Sequence, residues 1–461
     1  MPNILAYGAL IAWPVAAYAL FRILPLERAL VWSILGAYLL LPPVADFDYP
    51  LIPPLDKTSI PNLAAFFIVV VLLGRGATIF SGSLLTRTLI LLFVASPIAT
   101  TLLNRDPFQV GPILLPGLPI SEALATFIKQ TTILLPLFLA RKHLATPAAQ
   151  REILLALALG GLAYSLPMLL EVRLSPQLNV WIYGFFPHAF DQQIRMGGFR
   201  PVVFLSHGLY VAFFALTTVI AAFGLWRAEK GPFLLVGAYL TGVLVLCKTL
   251  GALVYAGVAV PATLLAGRRM QFAIAAGIAA VVLAYPILRG SGLVPIETIL
   301  EQAATVEQDR ADSLAFRLSN EVAVLTHAQE RPFFGWGAFG RNMARDSETG
   351  LTSTVLDGRW IIVISQFGWV GYIAEFGLLA LPVFLLLMRS LRIPAEDIPP
   401  YAGPVALILV FNLFDLLPNS PLTPMTWLLA GALLGHAESR TAQSPTPDPA
   451  RPGRKPIETI L

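Results

Sequence analysis

The stretch QQIRMGGFRPVVFLSHG, residues 192–208, sets Arg195 and Arg200 five positions apart with Gly197 and Gly198 between them. A long apolar run follows at once. Glycine lets backbone N–H groups approach an anion closely. Arginine adds a planar, permanently charged fork that matches phosphate oxygens. Pro201 keeps Arg200 extended. The spacing therefore reads as a phosphate-binding bend. The plainer alternative is a pair of boundary arginines anchoring a span at the lipid headgroups. His207, close behind, adds a titratable group.

Other polar residues sit where apolar sequence makes them costly. Lys248 interrupts VLVLCKTLGALVYAG, and a lysine at mid-membrane costs roughly 2.5–3.5 kcal/mol. Either the span breaks there and the gap admits a ligand, or the lysine snorkels out of a tight hairpin. Lys129 shares a helix face with Glu122 and Thr126 and is expected to pair with Glu122 in a structural polar patch. Glu375 has the same structural reading.

The segment DSLAFRLSNEVAVLTHAQERPFFGWGAFGRN predicts an amphipathic helix with Leu314, Leu318, Val322 and Leu325 on one face. Arg317, Asn320, Glu321 and His327 lie along an adjoining face, and Pro332 ends the helix. It is expected to lie over a membrane bundle as a lid, or simply to present a solvated face. In LDGRW, Asp357 and Arg359 stand at the return to the membrane. Asp46 and Asp48 form a weak oxygen-ligand pair for a divalent cation, and no metal site is assigned.

These residues need elements to hold them. The 461-residue chain is 56% hydrophobic and 13% charged, with mean hydropathy +0.74. A soluble domain carries about 25% charged residues, so this chain needs lipid around it. The reading is an all-α, polytopic membrane bundle of 12–13 spans with a large helical lid loop. Thirteen candidate spans fall near 3–22, 28–45, 61–79, 86–104, 121–140, 152–170, 203–225, 232–247, 249–266, 271–289, 366–388, 401–417 and 421–436. The chain thus divides into N-terminal spans (1–170), a first long loop (171–202), central spans (203–289), the lid loop (290–360), C-terminal spans (361–436) and a tail (437–461) rich in Pro, Ser and charge, expected to be disordered.

Lysine and arginine recur in alternate short loops: Arg22 and Arg28; Arg75 and Arg87; Arg141, Lys142 and Arg151; Arg227 and Lys230; Arg268 and Arg269; Arg389 and Arg392. The opposite short loops hold only Lys57, Arg105 and Lys248. Positive residues mark the cytoplasmic side, so the N-terminus is placed outside and the C-terminus in the cytoplasm. Both long loops then lie outside, with Arg173, Arg195 and Arg200 in one and Arg310, Arg317, Arg331, Arg341, Arg345 and Arg359 in the other. The scattered basic charge gives no support for nucleic-acid binding. The single cysteine, Cys247, excludes an internal disulfide and a CxxC site. No HExxH or P-loop occurs, so zinc proteases and nucleotide-driven pumps have no support.

Taken in order, RMGGFRPVVFLSHG, CKTLGAL, RLSNEVAVLTHAQERPFFGWGAFGRN, DGRWIIVISQFGWVGYIAEFGLL and LLPNSPLTPMTWLLAGALLG resemble the O-antigen ligase and polymerase superfamily over roughly 190–436. The resemblance implies a multi-pass glycosyltransferase of the bacterial inner membrane, working at its outer face in polysaccharide biosynthesis. It implies a polyprenyl-pyrophosphate-linked glycan as donor, a glycan or lipid as acceptor, contact with polysaccharide export machinery, and no cofactor. Arg195 and Arg200 look like the family's pyrophosphate-holding arginines, and Lys248 stands where many relatives carry arginine. Asp357 stands where the ligase branch carries a histidine, which favours an exopolysaccharide polymerase-like branch. Asp357, His207 or His327 would take the acceptor's proton, with Arg317, Glu321 and Arg359 in support. Two rivals are a lipid-linked oligosaccharide transporter, with Lys129, Lys248 and Glu375 along its path, and a non-catalytic scaffold. A transporter built from matched halves would show interrupted helices at corresponding positions, and no such symmetry is visible.

Overall fold

The computed structural model describes residues 1–49, 52–80, 82–195, 197–306 and 308–439. In chain order the helices are α1 (Ile4–Ile23), α2 (Leu26–Leu40), α3 (Ser59–Phe66, continued by a π turn, Phe67–Leu72), α4 (Leu84–Leu102), α5 (Ile120–His143), α6 (Pro147–Leu174), α7 (Leu178–Tyr183), α8 (Gly208–Glu229), α9 (Phe233–Leu246), α10 (Leu250–Leu265), α11 (Arg268–Gly290), α12 (Ile296–Val306), α13 (Gln308–Ala328), α14 (Arg359–Ser390), α15 (Ala402–Asp415) and α16 (Pro424–Glu438). Two short ribbons interrupt the helices: β1 (Phe108–Val110) with β2 (Ile113–Leu115), and β3 (Ile194–Arg195) with β4 (Gly198–Phe199).

A helix lies in each of the thirteen stretches read as spans, although α2 stops at Leu40 and α3 with its π turn at Leu72, short of the expected 45 and 79. Seven of them, α1, α4, α5, α6, α8, α11 and α14, are long and apolar enough to cross a membrane by length and composition. Their environment follows from what they leave uncovered. Only 22% of α1's apolar window is buried, and Ile4, Ile11 and Val15 face outward. Water would not tolerate such a surface, and lipid does. The inward faces are closely packed: α8 is 83% buried, with Leu216, Val219 and Ile220 fully enclosed. Pro14, Pro97, Pro136 and Pro382 lie inside helices, as is common where neighbouring helices satisfy the freed backbone groups.

The basic loops collect at one end of the bundle. There Arg28 forks onto Glu152, Arg151 onto Glu229, and Arg141 onto Glu438. Lys142 donates to the carbonyl of Arg75, while Arg268 and Arg269 donate to Ile398 and Ser390 carbonyls. The lid lies at the other end, where Arg331 donates to the carbonyl of Leu103 and Arg341 to that of Pro116. Asn3 joins this end through its N–H to the Tyr183 carbonyl, 2.9 Å.

The lid is stitched into a broken helix. Gly368 (φ 65, ψ −166) interrupts α14. The break separates the Ser365 carbonyl from the Trp369 N–H and the Gln366 carbonyl from the Val370 N–H, which an unbroken helix would pair. The stretch after Pro332 takes all four: Trp336 and Gly337 donate to Ser365 and Gln366, and Trp369 and Val370 donate to Pro332 and Phe333. The glycines of GWG and Gly368 permit this approach, because a side chain at 335 or 368 would overlap backbone of the partner strand.

Several expectations need correcting. The last-but-two span begins at Arg359, not 366, and is broken. Helix α6 runs on to Leu174, and the central spans begin at Gly208 rather than 203. On α13 the buried positions are Ala311, Leu318, Asn320, Val324, Leu325 and Ala328 among the described side chains, while Val322 is exposed and Leu314 half-buried. Glu122 takes the Thr126 hydroxyl at 3.0 Å, and Lys129 stays exposed, with no ion pair to Glu122 or to any other described residue. Glu375 is buried against Arg359, as a structural polar group should be. Arg310's side chain and the tail cations Arg440, Arg451, Arg454 and Lys455 lie outside the described residues, as does the expectation of a disordered tail.

Candidate functional site

The first long loop is held by one carboxylate. Buried Glu171, in the last turn of α6, accepts the backbone N–H of Leu178 on Oε1 (2.9 Å) and those of Val202 and Val203 on Oε2 (2.7 Å each). It thereby gathers both arms of the loop. Val203 has φ 51, a conformation that a β-branched residue adopts only under constraint, and the Glu171 bond supplies that constraint. Gly197 (φ 65) turns the β3–β4 ribbon, which presents Arg195 to solvent and carries the chain back through Arg200, whose N–H donates to Gln193 (2.8 Å).

Lys248 reaches this ribbon from the α9–α10 junction. The two helices are joined by Cys247, Lys248 and Thr249 alone, and Lys248 takes φ 52 to make the turn. Its ammonium comes up against Gly198, and its carbonyl accepts Nε of Arg200 at 3.3 Å. Arg195, Arg200 and Lys248, separated in sequence, thus share one small region.

The lid closes over the same region. Arg317 of α13 lies 3.4 Å from Asp357, and both side chains are 36% exposed. The charges of Arg200, Arg317 and Arg195 all bear on His207, the residue that caps α8. His207 accepts the Leu209 N–H on Nδ1 (3.0 Å), and its Nε2 is 3.3 Å from Oε1 of Gln192. The capping bond requires an unprotonated Nδ1, so Nε2 carries the proton. Burial, the adjoining His188 and the nearby arginines hold it neutral, pushing its pKa down to about 3. The imidazole is a cap and a hydrogen-bond donor here, and Asp357 is the carboxylate facing the cations.

The remaining candidates are engaged elsewhere. His327 lies ten residues along α13 from Arg317, about 15 Å by helical rise. It stacks on Trp336 and bonds the Arg341 carbonyl (2.9 Å). Glu321 turns to α11, meeting Arg289 (3.4 Å) and the Tyr285 hydroxyl (3.3 Å); burial raises its pKa while Arg289 opposes. Arg359 forks onto Glu375 at 2.7 Å twice, and so does not pair with its near neighbour Asp357. Among the described residues, no group of three or more His, Cys, Asp or Glu could hold a metal ion; Asp46 and Asp48 are exposed.

Sequence reasoning missed the floor of the site. Tyr210, one turn into α8, lies near Ser420 and within electrostatic reach of Asp415 and Asp357. Asp415 closes α15 and accepts Nδ2 of Asn419 at 2.9 Å. Lys57 donates to the Phe204 carbonyl at 2.9 Å. A lone carboxylate in ILVFNLFDLL was the one available signal; nothing in the sequence around Lys57 marks it.

These features define the class: a polytopic α-helical membrane protein with a cation-rich, lidded site at the end opposite its basic loops. No protein-family model matches the chain, and no curated protein matches it.

Proposed function

We propose that the protein is a glycosyltransferase of the O-antigen polymerase and ligase kind, crossing the bacterial inner membrane with twelve or thirteen helices, N-terminus outside and C-terminus in the cytoplasm. Its donor is a glycan on polyprenyl pyrophosphate, presented at the outer face, and its acceptor a hydroxyl of another glycan or of a lipid. The observation that carries this reading is the convergence of Arg195, Arg200 and Arg317 about His207, with Lys248 bonded to Arg200 and Asp357 facing Arg317.

In the reaction, the acceptor oxygen attacks the anomeric carbon as the bond to the pyrophosphate oxygen breaks. The bonding electron pair leaves with the pyrophosphate, and the hydroxyl proton passes to Asp357. A single displacement inverts the anomeric centre. Arg195, Arg200 and Lys248 meet the charge that builds on the phosphate oxygens, as positioned cations do at a developing anion. Arg317 orients Asp357, and His207 fixes the start of α8 beneath them.

The experiment uses purified full-length protein in liposomes, supplied with lipid-linked glycan extracted from the native host. Release of polyprenyl pyrophosphate together with glycan growth is expected. Glycan movement across the bilayer without growth, or neither event, overturns the proposal.

A further inference from the structure

A cavity of about 220 Å³ lies beside Tyr210, between the Lys57 turn, α2, the start of α8 and the entry to α16. Tyr38, Lys57, Thr58, Ser206, Tyr210 and Thr423 line it, with prolines and leucines completing the wall. An engineered protein cavity of about 150 Å³ accepts benzene, so there is room for a six-membered ring and its substituents. Among the described residues, the side-chain hydroxyls of Tyr38, Thr58 and Ser206, all facing the cavity, have no hydrogen-bond partner. Lys57 spends one ammonium proton on the Phe204 carbonyl and sits 5.7 Å from the centre of the Tyr38 ring. All four residues are half-buried where they line the cavity, so this wall offers donors and acceptors to an occupant that gives and takes hydrogen bonds.

The occupant's chemistry follows from the lining. A phosphate would call for more than one cation. A lipid tail would leave three hydroxyls and an ammonium unsatisfied. A pyranose ring offers hydroxyls at its rim and C–H faces to aromatic rings and prolines. Burial lowers the pKa of Lys57 to about 7, so the amine both donates and accepts at neutral pH, which suits a hydroxyl partner.

We propose that this cavity is a sugar subsite, binding one uncharged pyranose ring of a glycan substrate through Tyr38, Lys57, Thr58 and Ser206. The proposal rests on the glycosyltransferase reading for its placement beside the cationic site. Ser206 immediately precedes His207, and Tyr210 links the cavity to Asp357. A ring seated here is one short step from the reacting centre.

Ser206→Cys tests it without transfer activity, because the only native cysteine, Cys247, is buried. The full-length variant in detergent is labelled with a small methanethiosulfonate reagent. Glycan is expected to slow labelling at least tenfold, whereas inorganic pyrophosphate is not. Delipidated glycan alone protecting identifies the acceptor's ring, and protection only by lipid-linked glycan identifies the donor's. Protection by neither glycan, or equal protection by pyrophosphate, overturns the subsite. Since labelling needs no turnover, failure of the subsite and failure of the transferase reading give different results. As a second variant, Thr58→Leu narrows the cavity from the other side; it should weaken binding of the protecting glycan at least tenfold with an unchanged melting temperature, and unchanged binding in that folded variant counts against the proposal.

Discussion

The ammonium of Lys248 fills the space that a β-carbon on residue 198 would need. A cation from a break between two helices is thus seated on a glycine of a loop some fifty residues earlier. Gly198→Ala should displace Lys248 and cut pyrophosphate release at least tenfold, with unchanged protein in the membrane. Lys248→Ala should do the same. The double variant should be little worse than either, because contacting residues do not act additively. Rates of polyprenyl pyrophosphate release by the three variants provide the check.

Arg317 and Asp357 join the lid to the return of the chain at 3.4 Å. Loss of a general base typically costs 10²–10⁴ in rate, so Asp357→Asn should lower glycan transfer by about that factor. Arg317→Ala should lower it less, with Arg317→Lys restoring much of the loss. Single-turnover transfer rates distinguish these outcomes from a general failure to fold.

Glu171 satisfies three backbone N–H groups and holds Val203 in its left-handed conformation. Leaving a buried donor unpaired costs roughly 1–3 kcal/mol, so Glu171→Ala should destabilise the protein by several kcal/mol. Glu171→Gln, which keeps one acceptor oxygen, should cost less. Thermal unfolding in detergent measures the order, and trypsin cleavage after Arg195, which is exposed, should quicken in the same order.

His207 gives the site an acid limit. Its folded pKa of about 3 lies below the unfolded value of about 6.5. Between those values the unfolded chain binds the extra proton, so the stabilisation present above pH 6.5 declines as pH falls towards 3. One pKa unit corresponds to about 1.4 kcal/mol, so a loss on the order of 2 kcal/mol is expected by pH 5. His207→Gln should remove that part of the acid sensitivity, as read by unfolding at pH 7 and pH 5.

Gly368 permits the exchange of backbone bonds between the lid and α14. Its φ of 65 and ψ of −166 suit glycine alone, and an added β-carbon would overlap the carbonyl of Phe333. Gly368→Ala should release the lid strand, seen as faster deuterium exchange at Trp336, Gly337, Trp369 and Val370, with exchange in α8 unchanged.

The amino-acid sequence by itself determined the apolar stretches and the alternation of basic loops. Both are local properties: a stretch of chain in lipid must satisfy its own backbone bonds, and so forms a helix wherever it is apolar for long enough. The helices at all thirteen stretches and the gathering of Arg28, Arg141, Arg151 and Arg268 at one end follow from that, and the end of α13 before Pro332 follows as locally from proline's missing N–H. Only the tertiary structure decided which charges meet. Arg359 lies beside Asp357 in the chain but pairs with Glu375 sixteen residues on, across the break at Gly368, while Asp357 pairs with Arg317 forty residues earlier. Glu321 and His327 share a helix with Arg317 yet are drawn to α11 and Trp336. Lys57, Tyr210 and Asp415 reach the site because the turn before α3, the start of α8 and the end of α15 come together there. Charge pairing depends on distances across packed elements, which fall off within a few ångströms and leave no periodic mark on the sequence.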